Sequence, residues 1–224
     1  MVDKNIVLTA VEIEKEIQLA SINEREIDFK GKALLPLILE GMTLDTGINL
    51  EDAIILGSMS LENTVVKGSV NLTGAIIKES LYLGLSTIKG DVILEGANIK
   101  RVASLMKAMV KGSLNCQDLT MSGFLSLAKI NVKNNVNLKG IKITDAYHVG
   151  WVIKGDVYLR DAMISGNLNT ENGFIEGSLD MLNAYIGGEA NLKKTKIGEF
   201  LILKNSNITG GLILDEIEYK EIIK

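Results

Sequence analysis

Residues 68–100 read GSVNLTGAIIK ESLYLGLSTIK GDVILEGANIK when broken every eleven letters. Leu72, Leu83 and Leu94 hold the same place in the three phrases. Their column runs back through Leu61, Leu50, Leu39, Phe29 and Leu19 to Leu8. Forward it passes Leu105, Cys116, Leu127, Leu138, Val149, Leu159, Thr170, Met181, Leu192 and Leu203 and ends at Leu214. Twenty units fit between Lys4 and Lys220, each of eleven residues except 15–24, 25–34 and 145–154, which have ten. A period sustained over a whole chain marks a repeat architecture, so the repeat is read before any single element.

Within a unit the general form is G-x-(V/L)-x-L-x-x-(A/S/T)-x-I-x. Val70/Leu72 and Ala75/Ile77 are pairs at spacing two, the alternation of a strand. The apolar gaps cycle two, three, two, four, unlike the three-and-four spacing of a helix face. Each unit therefore predicts two short strands separated by a corner, and glycine opens ten of the twenty units, where corners need backbone freedom. One unit closed on itself makes a tube too thin for its apolar side chains, so a turn takes two units, about 22 residues. Outward positions agree. Asn49, Asn71, Ile93, Asn115 and Asn137 fall in one set of alternate units, and Ser60, Tyr82, Ser104, Ser126 and His148 in the other. The expectation is an all-β, single-stranded parallel solenoid forming one domain over residues 1–224, with repeats at 4–220 and a tail at 221–224. Ten coils at about 4.8 Å per strand make a rod on the order of 48 Å long.

With 46% hydrophobic residues among 224, the chain can fill a large core. Twenty-two glycines, one proline and 4% aromatics suit stacked aliphatic coils better than a mixed domain, whose core needs several rings. Twenty-four basic against 28 acidic residues leave a net charge of −4, so nothing global attracts nucleic acid. Cys116 is the only cysteine and His148 the only histidine, which excludes a disulfide framework and leaves no metal-ligand set; no cofactor motif is present. The N-terminal stretch is too charged for a signal-peptide core, and no segment approaches the roughly 18 apolar residues of a transmembrane segment. The expected location is the cytoplasm.

Ala190-Asn191-Leu192-Lys193-Lys194 reads A-(D/N)-L-x-x, and GANIK at 96–100 and GDVILEGA at 90–97 come close. On these residues the chain resembles the pentapeptide-repeat proteins. The resemblance implies a four-sided, right-handed coil in which each unit joins a five-residue face to a six-residue face. Val or Leu in place of alanine on half the faces implies a wider core. Some proteins of that family mimic B-form DNA with acidic faces and occupy type II topoisomerases, so the resemblance implies, as an alternative function, a topoisomerase-directed or DNA-mimic binding module. A second similarity is to the bactofilins, polymer-forming β-helical cytoskeletal proteins with glycine-rich repeats and three-sided coils.

Several residues stand out against the repeat. Lys67, Lys89, Lys111, Lys133 and Lys154 end alternate units, and a 22-residue coil stacks them on one edge. Such a stripe serves an anionic polymer or headgroup surface, or simply keeps an exposed edge soluble and unpaired. A nucleic-acid partner is disfavoured, because basic net charge and stacking aromatics are both missing. Glu51, Asp52, Glu95, Gln117, Asp118 and Asp161 form a second corner too broken for DNA mimicry. The short unit DAYHVGWVIK at 145–154 holds the only tryptophan; Tyr147, His148, Trp151 and the following Tyr158 are candidate partner contacts. In the unbroken register His148 lies beside Ser126, a nucleophile and base without an orienting carboxylate, so a hydrolase centred on Ser126/His148 ranks last. Uninterrupted repeats leave no cleft for an active site.

A solenoid exposes an apolar cross-section and free strand edges at each terminus unless capped. Ile17 and Leu19 fall in column, so residues 10–20 are expected as strand; the rival is a short helix capped by Thr9 and Glu12. Bare ends predict coil-on-coil association into a homodimer or a filament. The expected function is a non-enzymatic structural scaffold that self-associates through its ends and presents a repetitive surface to a protein partner.

Overall fold

A computed structural model describes residues 7–148 and 151–224. Each eleven-residue phrase folds into two short strands and two phrases close a turn, giving a parallel solenoid with four faces, numbered here in chain order from Ile27. Face I runs from Ile27–Asp28 to Leu212–Ile213 and face II from Val7–Leu8 to Lys196–Ile197, nine strands each. Face III runs from Leu37–Ile38 to Glu221–Ile223 with nine strands, and face IV from Thr43–Leu44 to Asn207–Ile208 with eight. Val70 pairs with Ile48 on one side and Val92 on the other, and Leu81 with Met59 and Ala103, so successive turns are 22 residues apart. Counting the first strand and the incomplete last turn, the rod has about ten turns.

The core is the repeat seen from inside. Leu50, Leu72 and Leu94 follow face I, Leu61, Leu83 and Leu105 follow face III, and all six are fully buried. Column residues of the coil begin four-residue turns: the N–H of Ala53 donates to Leu50 O at 3.0 Å and that of Ala75 to Leu72 O at 3.0 Å. The third residue of the turn is left-handed, Asp52 at φ 56° and Gly74 at φ 63°, which type II geometry requires. Where threonine replaces the column leucine at Thr170, its hydroxyl meets that of Thr195 at 2.9 Å, and Thr195 Oγ1 also donates to Thr170 O at 2.8 Å. Both are fully buried, so the polar pair satisfies itself inside an apolar tube.

Outward asparagines stitch face I. Asn71 Nδ2 donates to Asn49 Oδ1 at 3.3 Å and Asn137 Nδ2 to Asn115 Oδ1 at 3.1 Å. Each Oδ1 also accepts the N–H two residues on, as Glu51 N to Asn49 at 3.1 Å and Lys139 N to Asn137 at 3.1 Å. The ladder is local turn chemistry, interrupted where Ile93 takes the place between Asn71 and Asn115.

The structure corrects the register at three places. First, residues 10–20 are not strand: Ala10–Ile22 is a helix, α1, lying across the first turn. The Thr9 hydroxyl accepts from Glu12 N at 3.3 Å, and the Glu12 carboxylate accepts from Thr9 N at 2.8 Å, a complete capping box. Ile13 and Ala20 face the core and Leu19 does not; Leu8 pairs with Leu34 on face II, so the leucine column begins at Phe29. Second, the ten residues 145–154 are not half a turn. The register steps by 32 from Leu125 to Val157, Asn131 to Met163 and Val136 to Leu168. The extra ten residues leave the coil as an antiparallel hairpin, Ala146–His148 against Trp151–Ile153. Val149, assigned inward by the period, lies outside the described residues. Third, residues 221–223 are no tail: Glu221–Ile223 pairs with Phe200–Ile202 on face III.

Candidate interaction surface

The lysine stripe survives as four members. Lys67, Lys89, Lys111 and Lys133 each follow a face IV strand, one turn apart, and all are exposed. The amide of Lys89 donates to Val66 O at 2.9 Å, that of Lys111 to Ile88 O at 2.9 Å and that of Lys133 to Val110 O at 3.0 Å, which fixes them in one row. Lys67 ends the row against Asp45, Nζ to Oδ1 at 2.7 Å. Lys154 is not in it: the next place belongs to Ser165, whose amide donates to Val132 O at 3.0 Å. The hairpin detour shifts Lys154 to the foot of the hairpin, where its Nζ lies 3.2 Å from Asp145 Oδ2.

Two further lysines border the same face. Lys107 and Lys129 stand on the corner where face IV begins, one turn apart, each left-handed at φ 60° and 56°. Their signal was available as the position two residues after Leu105 and Leu127, at the 22-residue period. The same detour breaks the acidic corner: Glu51, Asp52, Glu95, Gln117 and Asp118 lie between faces I and II, but Asp161 lies between faces III and IV. Lys30 pairs with Glu51 at 2.8 Å and Lys139 with Glu171 at 3.0 Å, so that corner is alternately charged.

The backbone of Tyr147, His148 and Trp151 belongs to the hairpin, while their side chains lie outside what is described. Asp145 anchors the hairpin's foot. It is buried; its Oδ1 accepts from Gly155 N at 2.8 Å, and its own amide donates to Glu176 Oε2 at 2.7 Å. The Ser126/His148 pair is not formed on the outward ladder, because Ser126 pairs with Ser104 on one side and Tyr158 on the other. Tyr158 packs edge-on against Phe124 at 5.8 Å, and its hydroxyl donates to Asp156 Oδ2 at 2.7 Å. Burial, then the Asp156 bond, push its phenol up to about 12, so it serves as a hydrogen-bond donor and not as a base. Arg160 pairs with the buried Asp180, whose Oδ1 accepts from Leu182 N at 3.0 Å. Burial likewise raises the Cys116 thiol, which is a core side chain and not a nucleophile. Among the described residues no group of three or more His, Cys, Asp or Glu is arranged to hold a metal, and no helix is long and apolar enough to cross a membrane.

The two ends differ. At the first turn α1 lays Ile13 and Ala20 on the core with Ile17 half-buried. At the last turn Ile208, Leu214, Ile217 and Ile222 are only partly covered and Leu212 is 37% exposed. No family model matches the chain, and no curated protein matches it.

Proposed function

We propose that the protein is a structural scaffold, non-enzymatic and without a cofactor, that pairs end to end through its last turn and presents its faces as repetitive binding surfaces. The carrying observation is the contrast between ends: the helix covers one apolar cross-section, while Leu212, Leu214, Ile217 and Ile222 leave the other half-covered. A capped first turn disfavours head-to-tail growth, so of the two assemblies expected from bare ends the closed one remains, an isologous dimer through two last turns. Sedimentation equilibrium tests this: a mass of twice 24.3 kDa is expected for the wild type, and a monomer for Leu212→Glu, which places a charge in the apolar contact. A wild-type monomer, or long polymers, rejects the end-to-end dimer.

The pentapeptide-repeat resemblance agrees with the four-sided coil and keeps a topoisomerase-directed binder as the rival reading. It has less support, because the corner expected to imitate phosphates carries Lys30, Lys139, Lys193 and Lys194 among its acids.

A further inference from the structure

Face IV gathers lysines over three turns with no acid among them. Over three successive turns its segments read 84–89 GLSTIK, 106–111 MKAMVK and 128–133 AKINVK, with five lysines and no acid. Lys107 and Lys129 border one side and Lys89, Lys111 and Lys133 the other, and all five are exposed. Among the described residues nine ion pairs form and none involves these five, as is also true of Lys78, Lys100 and Lys142. The nearest acid along the chain, Asp91, is already engaged, its Oδ1 accepting from Ser113 N at 2.7 Å. Glu62 and Asp161 mark where the patch stops, one turn beyond it on either side.

The lysines surround apolar side chains that nothing covers. Leu85 is 57% exposed, Met106 44% and Met109 37%, and Met163 follows Met109 two turns on along the same face. Lysine rows beside bare methionine and leucine on a flat sheet have the layout of a peripheral membrane surface: ammonium groups at headgroup level, apolar tips at the acyl boundary. Three strands at about 4.8 Å give the patch a length of about 10 Å along the rod. A nucleic-acid strand fits less well, because these three face IV segments carry no aromatic ring to stack on and no arginine fork.

We infer that the three-turn basic patch of face IV docks on an anionic lipid surface. This deepens the binding-surface half of the proposed function and is independent of the end-to-end dimer. Each lysine near an anionic leaflet changes membrane partition by about fivefold, so removing three costs about a hundredfold. The test is co-sedimentation with phosphatidylcholine vesicles containing phosphatidylserine, at low salt, against pure phosphatidylcholine. The loss variant is Lys107→Asn/Lys129→Asn/Lys111→Gln; asparagine accepts the left-handed backbone at 107 and 129, so the fold is not at risk. The control is Lys78→Gln/Lys100→Gln/Lys142→Gln, an equal charge change beside face II. The expected result is binding to the anionic vesicles that weakens with salt, falls about a hundredfold in the first variant and holds in the second. No wild-type binding, equal binding to neutral vesicles or equal loss in both variants overturns the inference. Tighter binding to a single-stranded oligonucleotide than to vesicles overturns it in favour of nucleic acid. Sedimentation equilibrium on the same samples separates the two readings: a dimer that ignores vesicles rejects only the docking face, and a monomer that binds them rejects only the dimer.

Discussion

At Leu85 the corner geometry of the solenoid and the chemistry of the side chain disagree. Its φ is 57°, a region that costs an L-residue about 1–2 kcal/mol, and its side chain is mostly in solvent. The same corner place is held by Asn63 one turn before and Lys107 one turn after, at φ 54° and 60°, and by glycine at Gly74 on the other corner. Leu85→Asn keeps the turn and relieves part of that cost, so it is expected to stabilise by about 0.5–1 kcal/mol in denaturant unfolding; a loss contradicts the turn assignment. The glycines at repeat spacing look alike as corner residues, yet only some are left-handed. Gly90 is not: a Cβ there meets Ser69 N at 2.7 Å, because the strand-to-strand corner passes its neighbour closely. Composition alone does not separate a residue kept for its φ from one kept for lack of a side chain.

The two elements that depart from the coil, α1 and the 146–153 hairpin, depart for reasons a fixed period hides. In α1 the capping box and a network of carboxylates win over in-column Ile17 and Leu19. Glu16 Oε2 accepts from Arg25 Nη2 at 2.8 Å, and Ser21 Oγ donates to Asp45 Oδ2 at 3.2 Å. Glu12 is held below the ordinary carboxylate range by the Thr9 amide and hydroxyl, Glu16 by Arg25, and Asp45 by Lys67 and then Ser21. A carboxylate with a depressed folded pKa stabilises fully above its unfolded value, about 4.3 for glutamate and 3.9 for aspartate, and loses that contribution as pH falls through the folded value. Acid is therefore expected to release α1 before the coil: amide exchange protection across residues 10–22 drops below about pH 4, while that of 70–100 persists. Equal loss in both contradicts the carboxylate anchoring.

The hairpin is a clean insertion. Gly155 takes the corner place that Gly123 holds one turn earlier, and Thr144 that of Ser122. Excising residues 145–154 restores a 22-residue turn, so the shortened protein is expected to keep its melting temperature within a few degrees. Collapse of the fold shows instead that Asp145 anchors the coil itself. In the sequence the ten-residue unit differed from its neighbours by only one residue. That small defect concealed a half-turn shift, which moved Lys154, His148 and Asp161 off the ladders assigned to them.

At the scale of the whole rod, the turn length, parallel pairing and inward columns were legible because one physical pattern, alternation between corners, is written many times over. Errors in single units average out there. The four faces, which the pentapeptide-repeat resemblance implied, are present. The charge zoning of face IV was half legible: the lysine row was read, but not the second border of Lys107 and Lys129, which lies on another corner and emerges only when both phrases of a turn are set side by side. End capping was the least legible property, since helix and strand patterns share apolar positions over a stretch as short as α1.

Everything proposed for the surface requires positions 22 residues apart, or 32 across the hairpin, to lie one above another. Pulsed electron paramagnetic resonance between spin labels at Lys67→Cys and Thr209→Cys, in a Cys116→Ala background, measures that stacking over six turns. At about 4.8 Å per turn a single narrow distribution near 29 Å, broadened only by the label arms, is expected. A broad distribution, or a maximum displaced by more than about 10 Å, contradicts the stacked coil.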